Sequence, residues 1–141
     1  MPRRSYTLEG PVIAVHTQAQ AEAVLAAATR AGRPVVLASP TNAAAYLGAG
    51  MFRAMIAAAR QSYPQARSLA VLDCGTRAGD AMAALREGVD VVCFRGDRDV
   101  VAKLIDMAEQ VGARVVTELT VTLDLADLAD PERAVLACLS G

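Results

Sequence analysis

The stretch Leu69-Ala-Val-Leu-Asp-Cys-Gly75 is an apolar run that ends abruptly in an acid, a thiol and a glycine. Four other stretches have the same form: Pro11–His16, Pro34–Ser39, Val89–Phe94 and Ala113–Glu118. Near-continuous apolarity marks strands buried on both faces, as in a parallel sheet, whereas a half-exposed strand would alternate. Parallel neighbours cannot be joined by tight turns, so helices must lie between them. The spacers have that character. Thr17 and Gln20 stand at capping-box spacing ahead of the stripe Ala21, Val24, Leu25 and Ala28, and Gly32 supplies the stop. Gly48 and Gly50 lead into a helix carrying Met51, Ala54, Met55 and Ala58 and ending before Pro64. Thr76 is placed to cap a third helix closed by Gly88, and Asp97 to cap a fourth closed by Gly112. Beyond Glu118 the chain alternates leucine with acids over Leu123–Asp127 and then offers Pro131 at a helix start.

Strand-helix alternation without a linker predicts a single α/β domain over residues 11–141, preceded by a polar N-terminal arm, residues 1–10. About five βα units give a parallel sheet in one of two forms. It is either a partial TIM-type barrel or a flattened, flavodoxin-like doubly wound sheet. Hydrophobic residues make up 54% of the chain and aromatics only 4%, so the core must be packed from small and branched aliphatic side chains.

The formal net charge of -1 provides no field for nucleic acid or an anionic membrane, and no apolar run reaches the length of a membrane helix. Met-Pro-Arg-Arg-Ser-Tyr lacks the apolar segment of a secretory signal. Cys74, Cys93 and Cys138 are odd in number and form no C-x-x-C pair. A reduced, cytoplasmic protein is expected.

Parallel α/β sheets bind ligands at the carboxyl ends of their strands. Those ends carry His16, Ser39, Asp73, Cys74, Arg95 and Glu118, with Asp97 just beyond. Asp73 and Cys74 are the catalytic candidates, as a base and as a nucleophile or soft metal ligand. His16, Ser39, Arg95, Asp97 and Glu118 are the ligand-binding candidates, with Arg95 suited to a phosphate or carboxylate. Each also has a structural reading: Asp73 as a helix cap, Cys74 as a small core residue, Arg95 in a rim ion pair. A phosphoacceptor receiver would need paired acids after the first strand and a lysine after the fifth. His16-Thr17 and Glu118 stand there instead, so that chemistry is excluded.

Pro34-Val-Val-Leu-Ala-Ser-Pro40, Ala45-Tyr-Leu-Gly48, Met51–Ala59, Leu69–Gly75, Ala83–Gly88, Val92-Cys-Phe-Arg-Gly96, Gly112–Leu119 and Asp130-Pro-Glu-Arg-Ala134 follow one another in an order that resembles the class II, zinc-dependent ketose-bisphosphate aldolases. That family has H-L-D-H-G, M-I-D-G-S, E-x-E-L-G and T-D-P-E-x-A in the same order. The resemblance implies that Asp73 matches the acid that moves the substrate's proton. It also implies that Cys74 stands where a zinc histidine belongs, and Arg95 and Asp97 where an aspartate and a serine belong. The family's later zinc histidines and phosphate-binding glycines fall beyond Gly141, which predicts a truncated and divergent homologue. No cofactor is expected, since Cys74, Glu118 and His16 make a poor zinc set.

Two functions follow from the sequence. The first is a non-catalytic module that binds a small anionic ligand or serves assembly. The second is a small lyase or isomerase acting on a phosphorylated or carbonyl compound, with Asp73 as general base. In a partial barrel the inner face and both edges would be open, which predicts a homodimer or higher homo-oligomer with Leu123–Leu128 in the contact.

Overall fold

The computed structural model describes residues 8–140; residues 1–7 of the expected arm lie outside the described part. The five apolar runs form strands β1 (Val12–Ala14), β2 (Val35–Ala38), β3 (Ser68–Asp73), β4 (Val91–Cys93) and β5 (Arg114–Val116). Between them lie α1 (Gln18–Ala31), α2 (Ala49–Ser62), α3 (Ala78–Glu87) and α4 (Arg98–Val111). The chain continues into a two-residue strand, β6 (Leu123–Asp124), and into α5 (Pro131–Leu139).

The helix boundaries follow from local chemistry. The Thr17 hydroxyl accepts from the Gln20 N–H at 3.1 Å, and α1, α3 and α4 each stop at a left-handed glycine. Two details differ from expectation. The Gln20 amide oxygen accepts from the His16 N–H at 2.7 Å, one residue outside the reciprocal cap. Thr76 does not cap α3; the N-cap is Arg77, whose guanidinium bonds Asp80 in the first turn.

All strand pairs are parallel, in the order β5-β4-β3-β2-β1-β6. The helices pack in the matching series α5, α1, α2, α3, α4. A doubly wound sheet would reverse its strand order and carry helices on both faces. Here β1 to β5 follow one another across the sheet in chain order, β6 joins the free side of β1, and the helices all pack against one face, as in a partial barrel-type arrangement. Alternate residues of each strand divide between two cores. Ile13, Leu37, Leu72, Val92 and Phe94 face the helices, while Val12, Val36, Ala38, Val71, Val91 and Cys93 form the row on the other face.

That second face is not open, contrary to expectation. Val36, Ala38, Val71, Val91 and Cys93 are all 0% exposed, and Leu8, Leu69, Val116 and Leu119 pack against them. The reason lies in the short link from β5 to β6. A flat sheet would separate these edge strands by five spacings of ~4.8 Å, or ~24 Å. Seven peptide steps from Val116 to Leu123 reach about 25 Å when fully extended. Nothing would remain for the return from the end of β5 to the start of β6. The sheet therefore curls, and the link crosses its concave side with Leu119 against the inner row.

Within the Leu123–Leu128 segment, Leu123 and Leu125 turn into the fold, while Asp124 and Leu128 are exposed. Thr122 donates to Val12 O and Leu125 to Ala14 O, which adds β6 to the free edge of β1. Leu125 is 0% exposed and Leu123 packs beside it in the helix-side core. No helix among the described residues is long and apolar enough to cross a membrane.

Candidate functional site

Leu69, Val71 and Asp73 share the inner side of β3, so the run that fills the concave core ends by presenting a carboxylate at its mouth. Asp73 is 2% exposed and fully engaged. Its Oδ1 accepts from the backbone N–H of Asn42 at 3.1 Å and of Gly75 at 3.0 Å. Arg95 Nη1 donates to Oδ1 at 2.9 Å and to Oδ2 at 2.8 Å. The Asp73 N–H donates to Ser39 Oγ at 2.9 Å, and that hydroxyl donates to Pro40 O at 3.0 Å. One carboxylate thus ties together the loops that follow β2, β3 and β4.

Local geometry makes this possible. Cys93 is the register partner of Asp73, and Arg95, two residues on, returns to the same side of the sheet. Asn42 and Gly75 both adopt left-handed backbone, with φ of 58° and 56°, which turns their N–H groups toward the acid. A Cβ on Gly75 would stand 2.1 Å from Asn42 Oδ1, so a larger residue would have to displace that side chain as well as hold a left-handed backbone. The hydrogen bonds to Asp73 raise the Arg95 pKa above the ordinary guanidinium value.

Beside this pair lies an open groove of about 760 Å³, lined by Phe94, Arg95, Gly96, Thr117, Glu118 and Thr120, with Arg98 at its rim. Glu118 shares the groove with Arg95, but no ion pair joins them. Asp97 has a structural place: it caps α4, its carboxylate accepting from the Asp99 N–H at 2.7 Å.

Cys74 does not join Asp73. Adjacent strand residues point to opposite faces, and the thiol lies in the helix-side core, 1% exposed, with Leu72 O 3.7 Å away. Burial, reinforced by the Asp73 charge, pushes its pKa up to about 12, which suppresses the thiolate that a nucleophile or metal ligand requires. Cys93, on the inner face, is pushed up to about 11 by burial.

His16 stands apart from Asp73, with β2 between their strands. Its Nε2 meets Asp124 Oδ1 at 2.7 Å, across the β1–β6 pair. Asp124 also accepts from the Ala126 N–H at 2.9 Å, and these two contacts, the backbone one foremost, lower its pKa below the usual carboxylate value. The sequence reading missed Asp124, because a two-residue strand next to β1 leaves no local signature. It also missed Asn42 as a donor, although Pro40 and Asn42 mark the turn that delivers it.

The zinc implied by the resemblance does not fit these donors. Among the described residues, no three His, Cys, Asp or Glu side chains converge. Cys74 faces the wrong side, His16 is bonded to Asp124, and Asp73 to Arg95.

No family model matches the chain. It is 30% identical to a fructose-bisphosphate aldolase of Xanthobacter flavus over an alignment of 123 residues covering 77% of the chain. The chain spans about a third of that relative's length (35%). The match supports an aldolase-like origin, in keeping with the partial barrel-type βα arrangement.

Proposed function

We propose that this aldolase-like domain is a non-catalytic module that holds a small anionic ligand at the mouth of the curled sheet, with Arg95 as its anchor. One observation carries the reading: Asp73, the acid expected to act as base, is committed to Arg95 and two backbone N–H groups. To act as a base it would first have to give up its hydrogen bonds to the Arg95 guanidinium and to the Asn42 and Gly75 N–H groups. Only Nη1 of Arg95 is used by Asp73, so Nε and Nη2 remain for an oxyanion, and the side chain is 36% exposed beside the groove. Thr117 and Thr120 supply hydroxyls along the same wall.

The test uses inorganic phosphate and fructose bisphosphate as probes, with and without added zinc. Saturable phosphate binding that Arg95→Met removes, with no cleavage of the sugar phosphate in either condition, supports the proposal. Turnover abolished by Asp73→Asn would instead establish the lyase reading, and phosphate binding unchanged in Arg95→Met would refute the anchor.

A further inference from the structure

The series of helices ends at α4 on the β5 side, so the flank of α4 turned away from α3 has no helix beside it among the described residues. This flank and β5 enclose a groove of about 500 Å³, with Val101, Ala102, Ile105 and Val115 on its walls. Its charged lining residues are Arg98, Asp106, Glu109 and Arg114, of which Arg98 and Glu109 lie nearest the two ends of α4.

Positions 98, 102, 105 and 109 advance by four, three and four residues, which keeps them within about 60° of the helix circumference. The stripe they form is Arg98, Ala102, Ile105, Glu109. Turned end for end it complements itself: arginine meets glutamate at both ends, and the small alanine meets the larger isoleucine twice in the middle. That is the requirement of an isologous contact about a two-fold axis.

The charges carry a second indication. Arg98 begins α4 and Glu109 lies in its last turn, where no basic residue is found. A cation at the N-terminus and an anion at the C-terminus both oppose the helix dipole. Neither side chain has an ion pair among the described residues to offset this. An antiparallel partner helix reverses both penalties, because each charge then meets its opposite and the opposing end of a dipole.

From these observations we infer that the α4–β5 edge is the contact of a homodimer, formed by antiparallel packing of two α4 helices. The occupant is a second copy of this chain, and the apolar groove is covered by its Ala102–Ile105 face.

Sedimentation velocity on the full chain tests this, with Arg98→Glu, Glu109→Arg and the doubly reversed variant. The wild type is expected to dimerise at micromolar concentrations. Each single reversal sets two like-charged pairs across the axis and weakens association by about tenfold or more. The double reversal restores it to within about threefold of wild type. Neither single variant is expected to lose thermal stability as a monomer, since each charge then agrees with its own helix dipole. A monomer up to high micromolar concentration, a dimer insensitive to the single reversals, or a double variant as weak as the singles would each overturn the inference.

Discussion

The two ends of the sheet carry the same chemical device and use it differently. At the strand N-termini, Asp90 Oδ2 accepts from Arg60 Nη2 at 2.7 Å and from the Ala70 N–H at 2.9 Å. Arg60 also bonds Ser68, through Nε to Oγ and through Nη2 to the carbonyl, both at 3.2 Å. At the strand C-termini, Asp73 pairs with Arg95 and gathers two N–H groups. The arginines are equally exposed at 36%, but the Asp90 side chain is 28% exposed and the Asp73 side chain 3%. An aspartate–arginine pair therefore does not by itself mark a site. What distinguishes the upper pair is its surroundings: three loops converge on it, and an open groove that includes Thr117, Glu118 and Thr120 lies beside its arginine. The lower pair borders an apolar groove of about 420 Å³ between α2 and the turn that follows α3, with Phe52, Ile56 and Val89 in its wall, and joins strand starts to a helix. In βα architectures the lower face serves stability and the upper face chemistry. In this molecule the lower pair ties strand starts to a helix, and the upper pair organises three loops.

The comparison predicts unequal losses. Asp73→Ala removes the acceptor for two buried N–H groups and the counter-charge of Arg95, and is expected to cost about 3 kcal/mol or more by denaturant unfolding. Equal losses at Asp73 and Asp90 would break the distinction. Asp90→Ala leaves Arg60 bonded to Ser68 and removes the acceptor of one strand N–H, that of Ala70, and is expected to cost about 1–2 kcal/mol.

The smallest effect is expected at the third aspartate contact, His16–Asp124. Because the folded state lowers the Asp124 pKa, its contribution is present above the ordinary carboxylate value and lost as the pH falls through the lowered one. Hydrogen exchange at the Leu125 N–H, which bonds Ala14 O, should therefore report a local opening of β6 that grows below about pH 4. Asp124→Asn should remove that acid sensitivity while leaving the Asp73 and Asp90 ends unchanged. An equal response of exchange at all three sites would show global unfolding instead.

Much of the site was readable in the residues. Asp73 and Arg95 both lay at strand ends, and their shared parity with Val71 and Cys93 puts them on one side of the sheet. The same parity argues against Cys74: it is two residues from Leu72 and one from Asp73, so it had to face the helices if Asp73 faced the mouth. Ser39, expected as a ligand-binding residue, accepts from the Asp73 backbone N–H and donates to Pro40 O. His16 needed Asp124 to acquire a partner, and a sequence separation of 108 residues hides that pairing.

The chain alone determined its strands, its helices and their parallel alternation, because apolar runs, caps and glycine stops act over a few residues. Tertiary structure decided the rest. The link after β5 is too short to span a flat sheet, so the sheet curls and its second face closes over Leu119. β6 pairs with β1 rather than with β5, and a buried carboxylate is neutralised by an arginine from the next strand. These outcomes depend on how distant segments meet under the limits of chain length and burial, which no local pattern encodes.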